Sequence, residues 1–171
     1  MCGIAGIIRM DHQPVEADGI RKMIDVMSYR GPDDSGVFVE RSIGVGHRRL
    51  AIIDLSPLGH QPMTNEDGTV WLVFNGEIYN YLELIPLLQE KGHVFRSRSD
   101  SEVIIHSYEA WGERCVERFN GMWAFAIWDA RRQRLFLSRD RFGVKPLYYH
   151  ATSRQVCFAS EIKSLLQVVP E

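Results

Sequence analysis

The chain has 171 residues and a mass of 19.7 kDa, the size of one ordinary domain. Hydrophobic residues make up 45% and charged residues 25%, a globular balance that excludes disorder, collagen and coiled coil. The formal net charge is −2 and the pI is near 6.3, so there is no basic excess for nucleic-acid binding.

In chain order, Ile4 to Ile8 is a short apolar run suited to a buried strand. It ends at Arg9 and follows no basic segment, so no signal peptide is expected. No run of about 18 apolar residues occurs, and no membrane span is expected. Ile20, Met23, Ile24 and Met27 fall at i, i+3, i+4, i+7 and predict one apolar helical face. Gly31 to Gly36 reads as a loop, followed by strand signals at Val37–Val39, Ile43–Ile53 and Val70–Asn75. Asn80 and Glu83 have the spacing of a helix cap. Pro86 conflicts with that helix, so it either starts nearer Glu83 or kinks. Ser99 and Glu102 repeat the cap spacing ahead of Ile104, Tyr108 and Trp111. Trp123 to Trp128 is apolar on both faces, as in a sheet covered on both sides. Asp129 to Gln133 then turns into a partner strand at Arg134–Ser138. A second hairpin joins Leu147–Tyr149 to Val156–Ala159, and a short helix spans Glu161 to Gln167. Many antiparallel strands with helices in separate blocks predict an α+β layered fold.

Cys2, Cys115 and Cys157 are an odd set without CxxC spacing, which argues against disulfides and zinc and for a reducing cytoplasm. The six histidines show no metal-ligand spacing, and no metal is expected. Gly44-Val45-Gly46 lacks the third glycine of a dinucleotide loop and sits inside a strand signal. Cys2 stands out by position. Removal of Met1 would expose a thiol and a free α-amine on one residue. An α-amine titrates at about 7.7–8.0, so it can take the thiol proton and return it to a leaving group. Nucleophile and base would then share a residue, as in N-terminal threonine enzymes. While Met1 remains, that nitrogen is an amide and no base. Taken alone, Met-Cys reads as readily as a small buried hydrophobe.

Several motifs in register decide the matter. Met1 to Gly6, Tyr29 to Gly36, His47 to Asp54, Phe74 to Asn80 and Ser99 to Glu102 resemble the class II glutamine amidotransferase domain. Their order and spacing are similar to the glutaminase domain of glutamine-dependent asparagine synthetases. Arg139 to Tyr149 and Phe158 to Leu166 extend the match almost to the last residue. Arg30-Gly31-Pro32-Asp33 is closer to that group than the Arg-Gly-Tyr-Asp of glucosamine-phosphate synthases.

The resemblance implies roles. Cys2 attacks the glutamine amide, and the Asn75 side chain and Gly76 N–H stabilise the oxyanion. By composition alone Asn75-Gly76 could equally be a tight turn. The family's His-x-Arg-Leu arginine aligns with Arg49 and would clamp the substrate carboxylate. Arg48 should point the other way on a strand, and Asp100 would hold the α-ammonium, although it could simply cap a helix. Glu77 and the backbone around Ile53 would line the glutamine pocket. Arg30 and Asp33 either reach the pocket or hold the loop, and the Arg139–Tyr149 motif reads as structural or as facing a synthetase domain.

The expectation is therefore one glutaminase domain over 1–171, with the four-layer αββα sandwich of N-terminal-nucleophile hydrolases: two antiparallel sheets between helical layers. It would need no cofactor itself. ATP and Mg would belong to a synthetase domain or subunit, its expected partner, which lies outside these residues. Neither nucleic acid nor membrane is expected as a partner, and a homodimer is left open. The alternative is a non-catalytic glutamine-binding or regulatory module that retains Met1.

Overall fold

A computed structural model describes residues 1–169. Its first strand, β1 (Gly3–Arg9), sits mid-sheet, between β3 (Ile43–Arg49) and β9 (Gln155–Ala159). β2 (Asp34–Glu40) and β8 (Tyr148–Ala151) are the edges, giving the order β2-β3-β1-β9-β8. A second sheet has the order β4-β5-β6-β7, from β4 (Met63–Thr64), β5 (Val70–Ile78), β6 (Gly121–Asp129) and β7 (Arg134–Arg139). Every pairing is antiparallel.

Strand periodicity sorts the side chains into layers. On β6, Trp123, Phe125 and Ile127 join the core beneath α2 (Tyr81–Gln89) and α3 (Asp100–Trp111). Between them, Ala124, Ala126 and Trp128 face the first sheet, where Ile4, Val45 and Phe158 meet them. β1 alternates in the same way, with Ala5 and Ile7 turned toward α1 (Ala17–Asp25). The result is the four-layer αββα sandwich, with α1 and the short α4 (Ile162–Leu165) outside one sheet and α2 and α3 outside the other.

Ile20, Met23 and Ile24 form the buried face of α1, and Met27, predicted on the same helix, lies just beyond its end at Asp25 and is also fully buried. Burying each such side chain is worth roughly 1.5–3 kcal/mol. Gly44 and Gly46 explain how α1 comes so close. A Cβ on Gly44 would stand 2.8 Å from Ile20 and Val15, and one on Gly46 2.6 Å from Ile20. The two glycines on β3 are therefore a helix seat.

Some boundaries differ from the sequence reading. β2 starts at Asp34, inside the segment read as a loop. β3 stops at Arg49, so Ala51 to Ile53 are not strand. α2 runs from Tyr81 straight through Pro86. Pro86 lies on the exposed side, where water can serve the carbonyl that proline leaves unpaired. Asn80 is not a side-chain cap: its Oδ1 accepts from Asn120 N–H and its Nδ2 donates to Arg118 O, both at 2.9 Å. Ser99 does cap α3, accepting from Ser101 N–H at 3.2 Å. Glu102 instead accepts from Arg96 and Ser97 in the preceding loop. Among the described residues no helix is long and apolar enough to cross a membrane.

Candidate active site

Four chain segments end at one end of the sandwich. Cys2 precedes β1, Arg49 is the last residue of β3, Asn75 and Gly76 lie late on β5, and Asp100 is the first residue of α3. β1 starts where β3 ends, since Gly3 pairs with Arg48, and this register sets Cys2 beside Arg49. One pocket collects Cys2, Arg49, Ile53, Asn75, Gly76, Glu77 and Asp100, every site residue derived from the sequence.

Cys2 is half-buried, and its Sγ accepts from Leu50 N–H at 3.4 Å. Burial raises its pKa above 9.0, opposed by the Leu50 N–H, the N-terminus and Arg49. Cys115 and Cys157 are fully buried, and burial raises them further, to about 12 and about 11. They are packed and inert, while Cys2 alone faces a cavity. Arg30 donates from Nε to the Cys2 carbonyl at 2.9 Å and pairs with Glu161 at 2.9 Å. Asp33 accepts from Ala51 N–H at 2.9 Å. Both residues therefore hold backbone around the pocket without lining it.

Asn75 and Gly76 are not a turn. They pair with Ala124 and Trp123 inside β5, which corrects the hairpin alternative. Asn75 is 1% exposed, and its buried Nδ2 has no hydrogen-bond partner. An unpaired buried amide donor is costly, on the order of 1–3 kcal/mol, and such a group in a pocket is available to a ligand. His47 fastens the same stretch from the opposite sheet, with Nε2 2.9 Å from Phe74 O. That contact calls for a proton on Nε2, and burial holds the ring neutral with a pKa of about 4.

Strand alternation separates the two arginines. Arg48 turns outward and pairs with Asp25, the last residue of α1. Arg49 turns into the pocket, where its guanidinium donates to the carbonyls of Asp54 and Ser56. Carbonyls orient the group without neutralising it, and among the described residues Arg49 has no ion pair within 4.0 Å. Gly59 has no Cβ because the Arg49 guanidinium occupies that space. Asp100 is 4% exposed and accepts from Ile78 N–H at 2.9 Å. Burial, with the nearby Glu77 charge adding to it, raises its carboxyl to about 6.

Two lining residues were not read as functional. Gln61 is buried, accepting from Phe74 N–H at 2.7 Å and donating to Ser101 Oγ at 3.1 Å, so it ties β5 to α3. Lys145 is 6% exposed, with Nζ 3.5 Å from the Met1 sulfur. A lysine between Val144 and Pro146-Leu147 was the available signal, since a buried cation in apolar surroundings calls for a reason.

A family model described as a glutamine amidotransferase domain matches residues 1–170. Asparagine synthetase [glutamine-hydrolyzing] 3 of Bacillus subtilis is 45% identical over 169 residues, covering 97% of this chain and 27% of that protein. Putative asparagine synthetase [glutamine-hydrolyzing] 2 of Methanocaldococcus jannaschii is 45% identical, covering 98% and 35%. The chain thus spans roughly a third or less of these relatives. The glutamine phosphoribosylpyrophosphate amidotransferase structure from Bacillus subtilis superposes with a TM-score of 0.81 at 20% identity, covering 98% of this chain and 43% of that one, and establishes the shared fold. A family match over nearly the full length, on a pocket that gathers every expected substrate-binding residue, places the chain in the glutamine amidotransferase domain family.

Proposed function

We propose that this domain hydrolyses the side-chain amide of glutamine to glutamate and ammonia, with Cys2 as nucleophile. The observation that carries the reading is the pocket itself. It combines a half-buried thiol, a buried Asn75 donor without a partner, an unneutralised Arg49 and a carboxylate at Asp100. Glutamine presents a complementary amide carbonyl, carboxylate and ammonium.

With Met1 removed, the Cys2 α-amine accepts the thiol proton as Sγ attacks the amide carbon. Negative charge develops on the amide oxygen, where Asn75 Nδ2 and the Gly76 N–H stabilise it. The tetrahedral adduct collapses, the amine returns the proton to nitrogen, and ammonia leaves a γ-glutamyl thioester. Water, deprotonated by the same amine, hydrolyses the thioester and frees the thiol. Arg49 binds the α-carboxylate, while Asp100 and Glu77 hold the α-ammonium. Arg30 fixes the backbone of the nucleophile through the Cys2 carbonyl. No cofactor takes part in these steps.

The ammonia serves an ATP-dependent synthetase domain or subunit of the asparagine-synthetase type, a reading supported by relatives that extend well beyond this domain. Cys2→Ala should abolish glutaminase activity while the circular-dichroism spectrum and melting curve stay unchanged. Activity near that of the unmodified chain would overturn the assignment. Met1 side-chain atoms line the pocket, so a chain that retains Met1 is the inactive, binding-only form. Intact-mass spectrometry separates the two forms.

A further inference from the structure

A second constellation lies on the far side of α3 and takes no part in the chemistry above. His93, from the segment after α2, meets His106 and Glu109 on α3. His93 Nδ1 is 3.1 Å from His106 Nδ1, His106 Nδ1 is 3.0 Å from Glu109 Oε2, and His93 Nδ1 is 3.5 Å from the same oxygen. Three ligands of a tetrahedral zinc ion, bound at about 2.0–2.1 Å, stand about 3.3 Å apart. The observed edges of 3.0, 3.1 and 3.5 Å bracket that spacing, and a cation just above their plane would reach all three atoms.

Hydrogen bonding alone satisfies this centre only in part: a doubly protonated His106 serves the Glu109 and Glu102 carboxylates but leaves His93 Nδ1 without a well-directed partner. A proton on His106 Nδ1 can be directed well at only one of its two neighbours. A second proton on His93 Nδ1 would set two donors against each other. One cation satisfies all three lone pairs at once. The surroundings also suit a metal, whose histidine ligands usually present their other nitrogen to a carboxylate. His106 Nε2 is buried without a hydrogen bond, 3.7 Å from both Glu66 and Glu102. Glu109 Oε1 accepts from Asn65 Nδ2 at 2.8 Å, which fixes the carboxylate. The side chains of His93 and Glu109 are 18% and 24% exposed, which leaves an entry path and a fourth position for water.

We propose that His93 Nδ1, His106 Nδ1 and Glu109 Oε2 form a binding site for a divalent transition-metal ion of the zinc class. The ion is structural. It pins the segment that enters α3 to the middle of that helix, whose first residue, Asp100, stands in the pocket.

The test uses the full chain carrying Cys2→Ala, so that the pocket thiol cannot bind metal. After stripping with EDTA, zinc chloride is titrated by calorimetry and cobalt chloride is followed by its visible absorption. The expected result is one equivalent of zinc, a tetrahedral cobalt spectrum, and a melting temperature raised by zinc. His93→Gln and, separately, Glu109→Gln should weaken zinc binding on the order of 100-fold and remove both the cobalt spectrum and the zinc-dependent melting shift. Absence of saturable one-to-one binding, or binding that survives both substitutions, overturns the proposal. Melting in EDTA shows whether each variant is folded, and the two substitutions on different elements keep the test decisive if one disturbs the fold.

Discussion

Asp100 and Asp140 are two carboxylates shielded from solvent, 4% and 5% exposed, that titrate in opposite directions. Burial pushes Asp140 upward, but the N–H groups of Lys145, Val144, Trp123 and Phe142 all point at it and hold it below the usual carboxylate value. Asp140 is the knot of the loop after β7. Asp100 is pushed to about 6 by burial and by the repulsion of Glu77, against the N–H of Ile78 and lesser help from the N–H groups of Asp100 and Ser101. The difference is one of depth and completion together: Asp100 is packed deeper among protein atoms and has fewer close donors. Where the backbone supplies enough donors, a buried charge organises structure. Where it does not, the charge is held at some expense of stability, as the proposed ammonium-binding role of Asp100 requires.

The largest expected effect falls on the completed site. Asp140→Ala orphans four buried or half-buried N–H groups and should destabilise the fold by about 4 kcal/mol, measured by urea unfolding. A loss under about 1 kcal/mol would show that the loop does not depend on its knot. Next comes the incomplete side: Asn75→Ala should lower kcat by roughly 10²–10³. Urea unfolding of the same variant should show little lost stability, because Nδ2 has no partner to lose. A large drop in stability with kcat intact would reverse the roles.

The third test uses pH. In Cys2→Ala, glutamine should bind about tenfold more tightly at pH 7 than at pH 5, because Asp100 ionises at about 6 while the ligand ammonium stays charged. Calorimetry giving equal affinities at both pH values would remove Asp100 from the ammonium site. The smallest effect is a contrast in sign. The folded-state pKa of Asp100 lies above its unfolded value of 3.8, so its unfavourable contribution grows as pH rises from about 4 to about 6 and is full above that. Asp100→Asn should therefore stabilise the fold at pH 7 by about 1 kcal/mol, whereas Asp140→Asn should destabilise it by a similar or larger amount. Matching signs in paired urea titrations would show that hydrogen-bond completion does not distinguish the two sites.

Much of the fold was legible because its cause is local. The i, i+3, i+4 face of α1 and the doubly apolar β6 both emerge as read, since their periods mark the faces that must be covered, while Met27 at i+7 is buried just past the helix end. Ser99 was legible as a cap for the same reason. Asn80 was not: its amide spans forty residues to Asn120, a contact no local spacing announces. Asn75-Gly76 shares its composition with turns, and only pairing with β6 places it inside a strand. The histidines looked unrelated because His93 and His106 are thirteen residues apart on separate segments.

By itself, the chain's sequence determined the layers, the motifs and the chemical types gathered in the pocket, because patterning and residue identity are properties of the chain. The tertiary structure decided what those groups can do. Packing turned Arg49 inward and Arg48 outward, left Asn75 Nδ2 without a partner, and buried Asp100 beside Glu77. Availability and protonation depend on which donors, charges and solvent surround a group, and those neighbours come from distant parts of the chain.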